Sequence, residues 1–191
     1  MSIGSVEQWF IDTIKGHFGG TLKGVESIPA DWDDETLRRV LRQAPGVFVV
    51  FGGGQRNSVD TDNGRVVIDA KWGIVAVTAH ASGELARRRG DKREIGAYDI
   101  LQRTARLLEG TEVPGAGEIQ VDQVENLFDA ALEKQGVAVY GLALTLPMYL
   151  IPDDAEEAPL DDFVTWHNAI DAAPGDGRDE AEDTVYLEQT P

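Results

Sequence analysis

Asp69 and Lys71 stand two residues apart in VVIDAKWG, with Asp60 and Asp62 upstream. On a strand this mimics the D…(D/E)-x-K spacing of many nucleases, in which two carboxylates hold Mg²⁺ and the lysine orients water. A second stretch, VVFGGGQRN (49–57), sets three glycines after an apolar run, where a phosphate-cradling loop would sit. Both weaken on inspection. D-x-K is short enough to recur by chance, and the upstream acids lie too near in sequence. Strand-edge charges that discourage edge pairing are the plainer reading. A Walker loop needs a Lys and a Ser or Thr after its glycines, and none stands in register. The dinucleotide pattern fits Gly52 and Gly54 but meets Asn57 at its third glycine. No helix follows to offer its N-terminus to an anion. The glycines read as a flexible loop leaving a core strand.

The three histidines, His17, His80 and His167, are scattered, without a second histidine or carboxylate at a ligand spacing. No G-x-S-x-G elbow presents a serine nucleophile. The residues assemble no catalytic constellation, no metal site and no cofactor site, and the expectation is a protein that is not an enzyme. One basic cluster stands out in ARRRGDKRE: Arg87, Arg88, Arg89, Lys92 and Arg93. Taken alone, a charge run is a solvated loop. In an acidic chain its contrast makes it the best interaction candidate, toward an acidic partner, the acidic tail, or DNA passing through a ring.

The elements that must position these residues come from a chain of 191 residues, 42% hydrophobic and without cysteine. That length supports one domain with a core and an appendage. The absence of cysteine removes disulfides, a thiol nucleophile and thiolate metal sites. The first eighteen residues do not form a secretory signal, and no apolar run approaches membrane-spanning length. The chain reads as soluble, with no membrane partner. Of the net charge of −17, residues 153–191 carry −12 and residues 1–152 only −5. A nucleic-acid-binding protein needs a basic footprint, which the chain as a whole lacks.

Periodicity places a helix over 5–18, with Val6, Trp9, Phe10, Thr13, Ile14 and Phe18 on one face and a Ser5/Gln8 capping box. A short strand over 21–28 and a helix over 31–46 follow, the latter with acids first and arginines later. GVFVVF (46–51) is a buried strand, and 65–81 is strand material with a bulge or bend at Lys71-Trp72-Gly73. A charged loop (82–94) leads to the clearest helix, 94–110, with Ile95, Tyr98, Leu101, Ala105 and Leu108 on one face. Two strands, 118–128 and 137–150, form an antiparallel hairpin. The expected fold is α+β: a mixed, largely antiparallel sheet with helices packed on one face, plus an extended acidic C-terminal arm. The division falls at 1–152 for the domain and 153–191 for the arm. On that arm FVTWHNAI and TVYLEQ are apolar islands whose Phe163, Trp166, Val185, Tyr186 and Leu187 are expected to dock on the body or on a neighbouring subunit.

The series LRRVLRQAPGVFVVFGGG, WGIVAVTAHAS, GAYDILQRTARLLEG and VAVYGLALTLPMYL, ending in FVTWHNAIDAAP…EAEDTVYLEQ, resembles the Mu-like phage family of tail terminator proteins. The resemblance covers most of the chain and carries no catalytic motif. It implies a small α/β sandwich assembling as a hexameric ring. Such a ring caps the head-proximal end of the tail tube in the virion, stops tube growth and offers a surface to the neck. The implied partners are further copies of the chain, the tail tube protein and a neck or head-completion protein, with DNA only as passing cargo. Loops 52–64 and 82–93 would face neighbours or the lumen. Two alternatives stay open: another neck or head-completion protein, and a metal-dependent nuclease using Asp69 and Lys71.

Overall fold

A computed structural model describes residues 2–57, 66–127 and 136–150, and the backbone of 165–170 and 181–186. The elements, in order, are α1 (Ile3–Phe18), a 3₁₀ turn (Gly19–Thr21), β1 (Gly24–Ser27), α2 (Asp34–Arg42), β2 (Gly46–Arg56), β3 (Val67–Ala79), α3 (Glu84–Arg89), α4 (Ala97–Leu108), β4 (Gln120–Asn126), β5 (Val137–Tyr149), β6 (Thr165–Ile170) and β7 (Ala181–Tyr186). The chain divides into two units, Met1–Asp153 and Asp154–Pro191.

The first unit is an α+β fold on a five-stranded mixed sheet of order β1-β2-β3-β5-β4. β1 and β2 are parallel, and every other pair is antiparallel. The uncharged, β-branched runs of β2 and β5 lie inside the sheet, where both faces can be covered. β4 alternates weakly and lies at the edge, with Val124 61% exposed.

Pleating sorts the core onto two faces. On one face Val47, Val49, Trp72, Ile74, Leu142, Leu144 and Leu146 meet Phe10 and Ile14 of α1 and Ile100, Leu101 and Leu108 of α4. The expectation of helices on one face holds for these two long helices. α2 is the exception: its Val40 joins Phe48, Val75, Val77, Val137 and Val139 on the opposite face. The cause lies in α2's own stripe, since Val40 is fully buried while Leu37 and Leu41 pack beside it.

Local details differ from the sequence reading. Ser2 caps α1, its Oγ accepting the Ser5 N–H at 3.0 Å, and Gln8 donates along the helix to Asp12. The helix therefore starts earlier than a Ser5/Gln8 box implies. α4 buries Ala97, Ile100, Leu101, Thr104 and Leu108, and Thr104 satisfies its hydroxyl on the Ile100 carbonyl at 2.8 Å. The stripe is thus rotated so that Tyr98 lies at its border. The bulge sits not at Lys71-Trp72-Gly73, which pairs with β5 in unbroken register, but opposite it on β2 between Phe51 and Gly54. The glycine run is that bulge. Gly53 takes φ +94°, and a Cβ on Gly54 would come within 2.8 Å of Ile68 Cδ1. Strand β2 continues to Arg56, so the expected loop begins later. Residues 58–65 lie outside the described residues.

In the second unit β6 and β7 pair antiparallel, with Trp166 opposite Val185 and Thr165 opposite Tyr186. The two apolar islands thus pair with each other along their backbones. Phe163 and Leu187 lie outside the described residues.

Candidate interaction surface

The basic cluster is built where β3 ends and α3 begins. A free loop was expected over 82–94; instead α3 forms a short helix from Glu84 to Arg89. The fully buried Thr78 donates its hydroxyl to the Arg87 carbonyl at 2.7 Å, tying α3 to the strand. Arg87 Nε donates to the His80 carbonyl at 3.3 Å. Gly90 (φ +74°) and Gly96 then let the chain cross itself at backbone contact. A Cβ on Gly96 would lie 2.1 Å from the Gly90 nitrogen.

Between these glycines, Asp91 Oδ1 accepts the N–H groups of Arg93 at 2.7 Å and Glu94 at 3.1 Å. Those two bonds hold the Asp91 carboxyl below its ordinary pKa. His80, 7% exposed, is enclosed by this turn. Its Nε2 lies 3.3 Å from Glu94 Oε2 and its Nδ1 4.0 Å from Asp91 Oδ2. The first contact is close enough for an ion pair but lies off the hydrogen-bonding direction. These carboxylates are 11 and 14 residues from His80, so no local motif could have announced them.

The structure thereby splits the five basic residues. Arg88 Nη2 donates to Glu84 Oε2 at 2.8 Å, and Arg88 Nη1 donates to the Tyr98 hydroxyl at 3.2 Å. These bonds, Tyr98 first, push the guanidinium further above its already high pKa. Tyr98 stands edge-on to Tyr140, with the two hydroxyls 3.4 Å apart. Tyr140's phenol is pushed up to about 12, chiefly by burial, whereas Tyr98's is lowered by the Tyr140 contact and then by Arg88. Arg87 and Arg88 therefore hold the fold. Arg89, Lys92 and Arg93 are exposed and have no ion-pair partner among the described residues.

Asp69 and Lys71 share a strand face but not a site. Asp69 Oδ1 accepts from Asn57 Nδ2 at 2.9 Å, while Lys71 Nζ pairs with Asp122 Oδ2 at 3.1 Å and bonds the Thr145 hydroxyl. The Thr145 hydroxyl and then Lys71 hold the Asp122 carboxyl below its ordinary pKa. The lysine is thus committed across β3, β5 and β4. Asp60 and Asp62 lie outside the described residues, among which no group of three or more His, Asp or Glu is placed to hold a metal. No described helix is long and apolar enough to cross a membrane.

A model of the family described as Bacteriophage Mu, Gp37 matches residues 2–148. The chain is 28% identical over 161 residues to the Mu-like prophage FluMu protein gp37 of Haemophilus influenzae, covering 84% of this chain and 77% of that one. It is 26% identical over 148 residues to the probable tail terminator protein of Escherichia phage Mu, covering 76% and 74%.

Proposed function

The chain belongs to the Bacteriophage Mu Gp37 family, and from that premise we propose that it is a structural component of a phage or prophage tail, acting as a ring that terminates the tail tube. The ring would cap the head-proximal end of the tube in the virion, stop its growth and join it to the neck or head-completion protein. DNA would pass through it as cargo. The action needs no cofactor and no chemistry, only surfaces that recognise copies of the chain and the tube.

The observation that carries this reading, beside the name of the phage Mu relative, is the state of Arg89, Lys92 and Arg93. Three exposed cations are presented on a helix and a turn fastened by the Thr78–Arg87 and Asp91 backbone hydrogen bonds; none forms an ion pair among the described residues, although Arg93 is near enough to Asp91 to favour its ionised form. An exposed charge patch steers encounter and confers specificity toward a surface of opposite charge. On the 153–191 arm, Phe163, Trp166, Val185, Tyr186 and Leu187 are proposed to dock on a neighbouring copy. The nuclease alternative loses ground because Lys71 is bonded to Asp122 and Thr145.

Light scattering after size exclusion tests the ring. Six copies of a 20.8 kDa chain give a mass of about 125 kDa, expected at high protein concentration or on a short tube fragment. A monomer that stays monomeric on the tube would overturn the proposal.

A further inference from the structure

β3 and β5 pair in one register, from Ala79 opposite Val137 at one end to Val67 opposite Tyr149 at the other. The exposed Arg89, Lys92 and Arg93 belong to the first end, because Thr78 holds the Arg87 carbonyl there. The other end carries a narrow ribbon formed by residues 111–119. Gly117 ties it to β5 by donating to the Pro147 carbonyl at 2.8 Å, and Ile119 donates to the Thr111 carbonyl at 3.0 Å. From Val137 to Pro147 is ten steps along β5, roughly 33 Å at a strand rise of about 3.3 Å per residue.

The ribbon has an electrostatic defect. Glu112 and Glu118 are directly opposite each other across an antiparallel bridge, and both are exposed. Like charges at facing positions destabilise a strand pair. No cation pairs with either among the described residues. A third acid, Glu109, is nearby and is occupied, accepting the Val121 N–H at 2.6 Å. The repulsion between Glu112 and Glu118 is relieved if cations are brought to them from outside. At the other end of the strands are three exposed cations that form no ion pair among the described residues, and Leu85, 55% exposed, lies one helical turn from Arg89.

We propose that the two ends are halves of one interface: Arg89, Lys92 and Arg93 of one copy dock on Glu112 and Glu118 of the next. A contact between opposite ends of the same body is heterologous, and repeated it closes into a ring when its rotation divides a full turn without a rise along the axis, and otherwise runs on as an open filament. The proposal rests on the ring reading above and names the surfaces that would build it. Leu85 supplies the apolar centre that a purely ionic contact lacks.

Charge reversal tests it on the full chain. One variant carries Arg89→Glu, Lys92→Glu and Arg93→Glu; the other carries Glu112→Lys and Glu118→Lys. All five positions are exposed, and circular dichroism is used to check that both variants fold. Sedimentation velocity is then run at low salt. Each variant alone has two ends of like sign, and self-association is expected to weaken roughly tenfold or more. An equimolar mixture joins unlike ends and is expected to restore association, now with an even number of copies. Wild-type mass for either variant alone, or a mixture no larger than its parts, would overturn the proposal. So would a wild type that plateaus at a dimer, or that remains a monomer at every concentration. Association that needs Mg²⁺ or Ca²⁺ and ignores reversal of the basic end would assign the Glu112/Glu118 pair to a cation and overturn it as well. Wild-type chain that caps tubes while both variants keep wild-type mass would defeat this interface and leave the ring reading standing.

Discussion

The guanidinium of Arg88 sits over the ring of Tyr98, its central carbon 5.9 Å from the ring centroid, while its Nη1 donates to the Tyr98 hydroxyl at 3.2 Å. This contact fastens α3 to the first turn of α4. It divides the basic cluster by function, because a cation engaged in this way is not available to a partner. Arg88→Ala is expected to lower the melting temperature while leaving the mass of any assembly unchanged. Reversing Arg89, Lys92 and Arg93 is expected to do the opposite. Paired thermal unfolding and sedimentation runs check both, and an Arg88→Ala variant that melts normally but fails to assemble would contradict the division.

Gly96 and Gly16 give a second contrast. A Cβ on Gly96 would meet backbone atoms at 2.1 and 2.4 Å, belonging to Gly90 and Arg89. Backbone cannot step aside as a side-chain end can, so Gly96→Ala is expected to disrupt the α3–α4 joint. Gly16 lies in α1 with nothing within 4 Å of its Cβ position. Gly16→Ala is expected to stabilise by roughly 0.5–1 kcal/mol, the usual helix-interior difference. Urea unfolding midpoints for the two variants should move in opposite directions.

Leu144 is fully buried on the interior strand β5, opposite Trp72 on β3. Leu144→Ala is expected to cost roughly 2–5 kcal/mol through lost burial and a residual cavity. Trp72 is a different case, because its indole N–H is buried without a hydrogen-bond partner among the described residues. Trp72→Phe removes that unmet donor along with some volume. Its loss is therefore expected to be smaller than that of Leu144→Ala, as read by chemical denaturation.

Much of this architecture was legible because it depends on local periodicity. The uncharged run of β5, the acid-to-arginine gradient of α2 and the hairpin of β4 with β5 can all be read from spacing. The errors arose where long-range contacts decide. The three glycines resemble a loop until Asp69 and Ala70 of β3 are placed against them, when they become a bulge. The 82–94 segment resembles a solvated loop because Thr78, Tyr98 and Tyr140, which hold it, lie outside it in sequence. The five basic residues were found as a group by charge contrast. Their division between fold and surface was not visible, since the partners of Arg88 are four and ten residues away on two helices. The opposed pair Glu112 and Glu118 leaves no periodic signal, because a single isolated bridge has no repeat to read. The matching acids on either side of 113–117 were the available signal.

Stability should fall at both ends of the pH scale, for different residues. Asp122 ionises more readily in the fold than in an unfolded chain, owing to Thr145 and Lys71. Its contribution is therefore present above the ordinary carboxylate range and lost as pH falls through the lowered value. Tyr140 is the reverse: its pKa rises from an ordinary 10.0 to about 12. That contribution is intact below pH 10 and lost as pH climbs toward 12. Asp122→Asn is expected to flatten the acid limb of a melting-temperature profile, and Tyr140→Phe the alkaline limb. Unchanged limbs would contradict these assignments.

The central claim concerns what the chain does to a growing tube. Tail-tube subunits from the same phage or prophage should be polymerised with and without the purified chain, and tube lengths and ends imaged by electron microscopy. The expected result is short tubes that stop growing once the chain is added, each with a ring of density at one end. Tubes of unchanged length with bare ends, in the presence of excess folded chain, would contradict the account.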